Sequence, residues 1–370
     1  MAYKDNAYGP AGIVFGTKTK AYLLRKLTKK HSVDFDIKNA KNILFLRYDR
    51  IGDMVITTSV FRELKRVYPH IKIYVLASKK NKDVLINNPY VDKIIINYKN
   101  NIFGDLSSLL KLRKQKIDVC VEFDHSVVPH AIIRLRIINP KKIISVAKDG
   151  RYGVSGDELM MYDYYTEKHQ NTHFRSVWLD TLKPFGIEPE SNKYDLFFSS
   201  SQEKSALNYL NQFPSKCKVG FNLEGAVKGK KIQNTELEQI CKGIKQANDN
   251  VQIIILTAPN NLQNVSQLVE EIGLEYVVPS YKTKTILDVA ALIKNLDIVI
   301  TPDTSIVHVA SAFDKPIVTI HEKNQDSFQL FSPTSSLNKT VFSPKDNSID
   351  GFDVEKVIEF SNELIKGISE

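Results

Sequence analysis

Between residues 42 and 65 the chain reads NILFLRYDRIGDMVITTSVFRELK, an apolar run that stops at a charged loop and resumes with apolar residues at helical spacing. That order, strand then loop then helix, limits the fold more than any other feature. Ile43, Leu44, Phe45 and Leu46 leave no polar face, as a parallel strand covered on both sides requires. Gly52 permits a tight turn, and Asp53 stands where a helix N-cap belongs, ahead of Met54, Val55, Val60, Phe61 and Leu64. A carboxylate is thereby expected at the carboxyl end of a strand, where open α/β sheets bind ligands. Taken alone, Asp53 reads equally well as a cap for its own helix.

The alternation continues along the chain. Strand patterns occur at 71–76, 92–97, 118–123 and 142–146, with helical ones at 83–87, 106–114 and 127–136. After a polar, Tyr-, Asp- and Lys-rich stretch at 147–172 and a helix at 173–182, Pro184, Gly186 and Pro189 mark a boundary near 184–193. The second half repeats the pattern, with strands at 218–222, 251–256, 276–278 and 297–301 and helices at 235–248, 262–272 and 286–293. A terminal helix is expected over 354–365. Such a series implies right-handed βαβ units and two doubly wound parallel sheets. No Gly-x-Gly-x-x-Gly follows a strand and no Gly-Lys-Ser/Thr loop occurs, so neither a dinucleotide dehydrogenase nor a P-loop ATPase is supported.

Composition bounds the function. A chain of 370 residues suits two domains, and its three cysteines, Cys120, Cys217 and Cys241, are too scattered for a disulfide framework or zinc cluster. The start, MAYKDNAYGPAG, lacks a signal-peptide pattern, and no apolar run reaches the roughly 20 residues that span a bilayer. The cytoplasm is the expected location. The net charge is +9, and residues 1–45 hold nine Lys or Arg against three Asp. Within them KTKAYLLRKLTKK sets Tyr22, Leu23, Leu24 and Leu27 among basic residues, which fits either a basic interfacial helix on the cytoplasmic face of the inner membrane or a packed helix with a solvated basic face. No nucleic-acid motif accompanies the charge, so nucleic acid is not the expected partner.

A second motif narrows the reading. Residues 297–321, DIVITPDTSIVHVASAFDKPIVTIH, again run strand, loop, helix, strand. With Arg47 and Gly52-Asp53 in the first motif, and Asp303-Thr304-Ser305-Ile306-Val307-His308 in the second, the chain resembles glycosyltransferase family 9, the bacterial heptosyltransferases of lipopolysaccharide core assembly. The resemblance covers most of residues 42–335. It implies the α/β architecture called GT-B, two doubly wound Rossmann-like domains facing a central cleft. The expected division is a basic extension at 1–41, an acceptor-side domain at 42–185 and a nucleotide-sugar domain at 186–370.

The resemblance also implies roles. Asp53 would be the base that takes the acceptor hydroxyl proton, with Asp49 its nearest rival. Arg47 and Arg50 are candidates for tuning that carboxylate or holding an acceptor phosphate, and His125 is placed with the acceptor contacts. On the donor side, Lys230 matches the family's diphosphate-contacting lysine, with Lys228 and Lys231 close by. Asp303 is implied to meet donor sugar hydroxyls, the alternative being a helix cap. Thr304 and Ser305 open a helix N-terminus suited to an anion. His308, one turn further, joins the donor set or is a packed structural histidine. Asn222 and Glu224, at the end of the strand 218–222 and just past it, are counted with the donor side. His173 resembles a histidine near the family's hinge, or it flanks its own helix.

Three departures from the family pattern stand out. Ser305 replaces the usual glycine, TAPNNLQN offers Asn260 and Asn261 where an acidic ribose contact is common, and His321-Glu322 and Ser332-Pro333 replace a Gly-Pro-Thr run. The expected activity is inverting, metal-independent transfer of a sugar, most naturally heptose from ADP-heptose, to a lipopolysaccharide core or related glycan, with no metal or other cofactor. The alternatives are a GT-B transferase using a different nucleotide sugar, and a non-catalytic nucleotide-binding protein of the same fold.

Overall fold

A computed structural model of the chain describes residues 12–29, 33–98, 101–167, 171–223, 225 and 229–369. The chain folds into two compact units, one of Met1–Asp49, Thr57–Lys82 and Pro89–Asn192, the other of Arg50–Ile56, Asp83–Asn88 and Lys193–Glu370. Each carries one six-stranded parallel sheet.

The first part of the chain runs α1 (Gly12–Leu27), β1 (Asn42–Arg47), α2 (Ile51–Val67), β2 (Lys72–Ser78), β3 (Lys93–Asn97), α3 (Ile102–Lys114), β4 (Val119–Glu122), α4 (Pro129–Ile138), β5 (Lys142–Ser145), β6 (Tyr164–Tyr165) and α5 (Phe174–Leu179). The sheet order is β3-β2-β1-β4-β5-β6. In β1, Leu44 and Leu46 enter a core completed by Ala21 and Leu24 of α1, Leu109 and Leu112 of α3, and Ile132 and Leu135 of α4. On the alternate positions Phe45 meets Phe61 of α2, ring centroids 4.9 Å apart. Both faces are therefore covered, which is why the strand is apolar throughout.

The later part runs α6 (Ser200–Leu210), β7 (Cys217–Asn222), α7 (Asn234–Ala247), β8 (Val251–Leu256), α8 (Leu262–Ile272), β9 (Val277–Pro279), α9 (Ile286–Lys294), β10 (Ile298–Pro302), α10 (Ser305–Ala312), β11 (Ile317–His321), α11 (Gln325–Phe331), β12 (Asn338–Phe342) and α12 (Val354–Ser369). Its order, β9-β8-β7-β10-β11-β12, repeats that of the first sheet strand for strand. In each sheet the direction of winding reverses between the first and fourth strands, β1 and β4 in one, β7 and β10 in the other.

A recurrent device pins the strand starts. The residue before β4 is Asp118, whose carboxylate accepts the backbone N–H groups of Lys41 and Asn42 at 2.9 and 3.0 Å. Before β10, Asp297 accepts the N–H of Lys218 at 2.7 Å. Asp92 before β3 and Asp163 before β6 do the same for Ile73 and Ile143, at 2.8 and 2.9 Å. Each aspartate satisfies a strand-start donor of its neighbour and so fixes register at the amino end of the sheet.

Several sequence expectations change. Helix α2 starts at Ile51, with the N–H of Met54 donating to the Arg50 carbonyl, so Asp53 lies inside the first turn rather than at the cap. The expected helix at 173–182 is a short α5 capped by His173, whose Nδ1 accepts the N–H of Arg175 at 3.0 Å, followed by a 3₁₀ turn over Asp180–Phe185. The polar stretch at 147–172 contributes the edge strand β6.

Candidate functional site

The candidate residues gather at the carboxyl ends of the two strand pairs where the winding reverses. In the first sheet, Arg47 ends β1 and is 3% exposed. Its guanidinium lies over the Trp178 ring, 3.8 Å from the centroid, and Nη1 donates to Asp49 Oδ2 at 3.2 Å. Trp178 in turn donates its indole N–H to His125 Nε2 at 3.1 Å, and His125 stacks on Phe174 with centroids 4.0 Å apart. Arg47, Asp49 and His125 thus form one assembly joined through Trp178, the sole tryptophan. Accepting at Nε2 leaves His125 neutral with its proton on Nδ1. Burial, with Arg47 and Lys148 nearby, pushes its pKa down to about 3.

Behind this assembly lies a group that the sequence motifs do not point to. Glu122 ends β4 at 1% exposure and accepts from Lys148 Nζ at 2.5 Å, Ser145 Oγ at 2.8 Å and the N–H of Asp124 at 2.8 Å. Burial would raise the Glu122 carboxyl, but Lys148 holds it below the usual range. Burial and the neighbouring charge of Glu122 push the Asp124 carboxyl well above that range. The one signal in the sequence is Glu122, a carboxylate inside the run VCVEF that follows Asp118.

Asp53 is buried at 9% exposure in the first turn of α2, where the helix dipole favours a carboxylate, while Arg50 just before the helix is exposed.

In the second sheet, β7 ends at Asn222 and β10 at Pro302. Asn222 Nδ2 donates to Thr301 Oγ1 at 2.9 Å and Thr304 Oγ1 at 3.2 Å, tying the two strand ends together. Thr304, rather than Asp303, caps α10, its hydroxyl accepting the N–H of Ile306 at 3.2 Å. The N–H of Val307 donates to the Thr304 carbonyl at 3.2 Å. Two of the donors expected for an anion are thus already engaged by Thr304. Gly225 approaches so closely that a Cβ there would lie 2.7 Å from Thr304 Cγ2, so this position admits no side chain without displacement.

Freed from capping, Asp303 pairs with Lys230. His321 Nδ1 stands 4.0 Å from the same carboxylate oxygen. Burial would raise the Asp303 carboxyl, yet His321 and Lys230 bring it below the usual range. Burial pushes His321 itself down to about 4, so the lysine supplies the positive charge. His308, 4% exposed on α10, is likewise pushed down to about 4 by burial and is neutral. Lys231 is exposed, whereas Glu224 and Lys228 lie outside the described residues. Among the described residues, no three His, Cys, Asp or Glu side chains converge as a metal site requires.

The chain has relatives among known proteins. The chain is 22% identical over 316 residues to lipopolysaccharide heptosyltransferase 1 of Campylobacter coli, covering 81% of this chain and 88% of that one. Among solved structures, a family 9 glycosyltransferase from Veillonella parvula matches with TM-score 0.72 at 16% identity, over 91% of this chain and 99% of the other. The E. coli heptosyltransferase WaaC with ADP matches with TM-score 0.67 at 16% identity, over 89% and 99%. These likenesses establish the GT-B fold. The model of glycosyltransferase family 9 (heptosyltransferase) matches residues 110–355, two thirds of the sequence, and the chain belongs to that family.

Proposed function

We propose that the protein is an inverting, metal-independent glycosyltransferase that moves heptose from ADP-heptose to a lipopolysaccharide core or related surface glycan. The observation that carries this reading is the Lys230–Asp303 pair at the head of α10, beside the Asn222–Thr304 link. A lysine held by an aspartate at a helix N-terminus offers a cation to a departing diphosphate while the carboxylate remains available to sugar hydroxyls. The ADP nucleotide rests on the solved relative with ADP, and the acceptor on the name of the Campylobacter relative.

In this reading the Asp53 carboxylate accepts the proton of the acceptor hydroxyl as that oxygen attacks the anomeric carbon. The bond from that carbon to the diphosphate breaks, and its electron pair leaves with the nucleotide. Lys230 offsets the charge that develops there, and Arg47 with His125 orients the acceptor. Attack opposite the leaving group inverts the anomeric centre.

The test is thermal unfolding with ADP, UDP, GDP and ADP-heptose, followed by transfer assays. At about 100 times its dissociation constant a ligand stabilises by roughly 2.7 kcal/mol. The expected result is a raised midpoint with ADP and ADP-heptose only. A shift with UDP or GDP instead would move the donor, and no shift with any nucleotide would overturn the reading. Asp53→Ala is expected to lower transfer by about 10² to 10⁴ with donor affinity retained, and EDTA to leave the rate unchanged.

A further inference from the structure

Helices α1, α3 and α4 cover one face of the first sheet, with α4 in contact with both of the others. Their inner residues are core. Their outer surfaces are unusual for a water-soluble domain. Fourteen large apolar side chains are exposed among the described residues, and eight of them lie on these three helices: Tyr22, Leu23 and Leu27 on α1, Ile133 on α4, and Ile102, Phe103, Leu106 and Leu110 on α3. Ile102 and Phe103, adjacent at the start of α3, are 83% and 86% exposed. Exposed apolar residues scattered singly are ordinary, but a concentration on one face marks an interaction surface.

The charge on the same helices indicates what that surface meets. They carry nine Lys or Arg against a single acid, Asp105, in a chain whose whole excess is +9. Some of that charge is used internally. Arg134 pairs with Asp105 at 2.9 Å, Arg25 with Glu158, and Arg136 with the carbonyls of Leu27 and Lys29. The Arg134 and Arg136 contacts, with that of Arg113, which donates to the Ile137 carbonyl at 3.2 Å, tie α4 to both α1 and α3. Lys18 and Lys26 on α1 and Lys111 and Lys114 on α3 remain exposed. None of the described helices is long and apolar enough to cross a membrane. Exposed apolar side chains and exposed lysines on the same helices suit the boundary between anionic headgroups and acyl chains, the apolar groups entering and the lysines meeting phosphates.

We infer that the outer face of α1, α4 and α3 docks on the surface of an anionic lipid bilayer, with Ile102 and Phe103 inserting. The inference rests on surface chemistry and not on the transferase reading, and its test needs no turnover. Flotation of the full chain with vesicles of phosphatidylcholine alone, or with 30% phosphatidylglycerol, measures it directly. Binding is expected to the anionic vesicles, at least about tenfold weaker to the neutral ones, and to fall as NaCl rises to about 0.5 M. The double variant Ile102→Ser/Phe103→Ser is expected to lose about tenfold or more, with an unchanged unfolding midpoint because both side chains are exposed. Lys111→Glu/Lys114→Glu is expected to lose a similar amount and to flatten the salt dependence, whereas Leu337→Ser, an exposed apolar site on the other unit, changes nothing. Equal binding to both vesicle types, or full binding by the Ile102/Phe103 variant, overturns the proposal. So does a dimer, seen by sedimentation, that this variant abolishes while vesicles are ignored. A short RNA bound as tightly as the anionic vesicles, with no loss in the Ile102/Phe103 variant, overturns it as well.

Discussion

Lys230 and Asp303 reach one another across 73 positions of sequence, and each leaves only about 15% of its side chain open to water. Removing one member of such a pair strands the other's charge, whereas removing both does not. Lys230→Met is therefore expected to destabilise the protein by about 1 to 3 kcal/mol, and Asp303→Asn/Lys230→Met to recover most of that loss, as urea unfolding of the single and double variants would show. The two residues could be named from sequence because each sits in a motif at a strand end. Their contact could not, since the lysine-rich loop offered several lysines and only the fold brings Lys230 to Asp303. Glu122 and Lys148 stayed unseen for a related reason. They lie 26 residues apart, at neighbouring strand ends that only the sheet brings together.

At the scale of elements, the central strands were the plain part. Residues 251–256 and 262–272 read from sequence coincide with β8 and α8, because a strand buried on both faces and a helix with a clear apolar stripe each leave an unambiguous pattern. The edge strands β6 and β12 were not read. An edge strand pairs on one side only and needs less apolar surface, and β12 accordingly has a single buried residue, Val341. Helices α6 and α11 were also missed, the latter having no buried residue to set a period. The centre of the second sheet is tight. A Cβ at Gly220 in β7 would lie 2.4 Å from Leu296 Cδ1, and Leu296 is 1% exposed with little space to retreat into. Gly220→Ala is expected to cost about 1 to 3 kcal/mol, read as a lowered urea midpoint with the far-ultraviolet spectrum retained. Thr304→Ala, which removes the α10 cap, is expected to cost about 1 kcal/mol on the same measurement.

For the whole molecule, acid is the condition under which its buried imidazoles matter together. His308 and His321 have pKa values near 4 in the fold, below the ordinary value of about 6.5. The unfolded chain therefore takes up protons at these positions between pH 6.5 and 4 while the folded chain does not, so stability falls as pH drops through that window. Each histidine contributes a slope of about 1.4 kcal/mol per pH unit. His321→Gln is expected to remove one proton's worth of that slope, measured as the pH dependence of the unfolding free energy from about pH 6.5 to 4.5. The repeated strand order was legible as two βαβ series, but the partition of α2 between the two compact units was not, because it depends on which residues touch rather than on what they are.

The aspartates that pin the strand starts have a consequence for how such a chain can change over generations. Asp118 and Asp297 secure register at one end of each sheet, while the candidate site residues lie toward the other. Substitutions among the loops at the ligand end thus leave the alignment of the strands untouched, so a lineage can explore new donors or acceptors without first risking its fold.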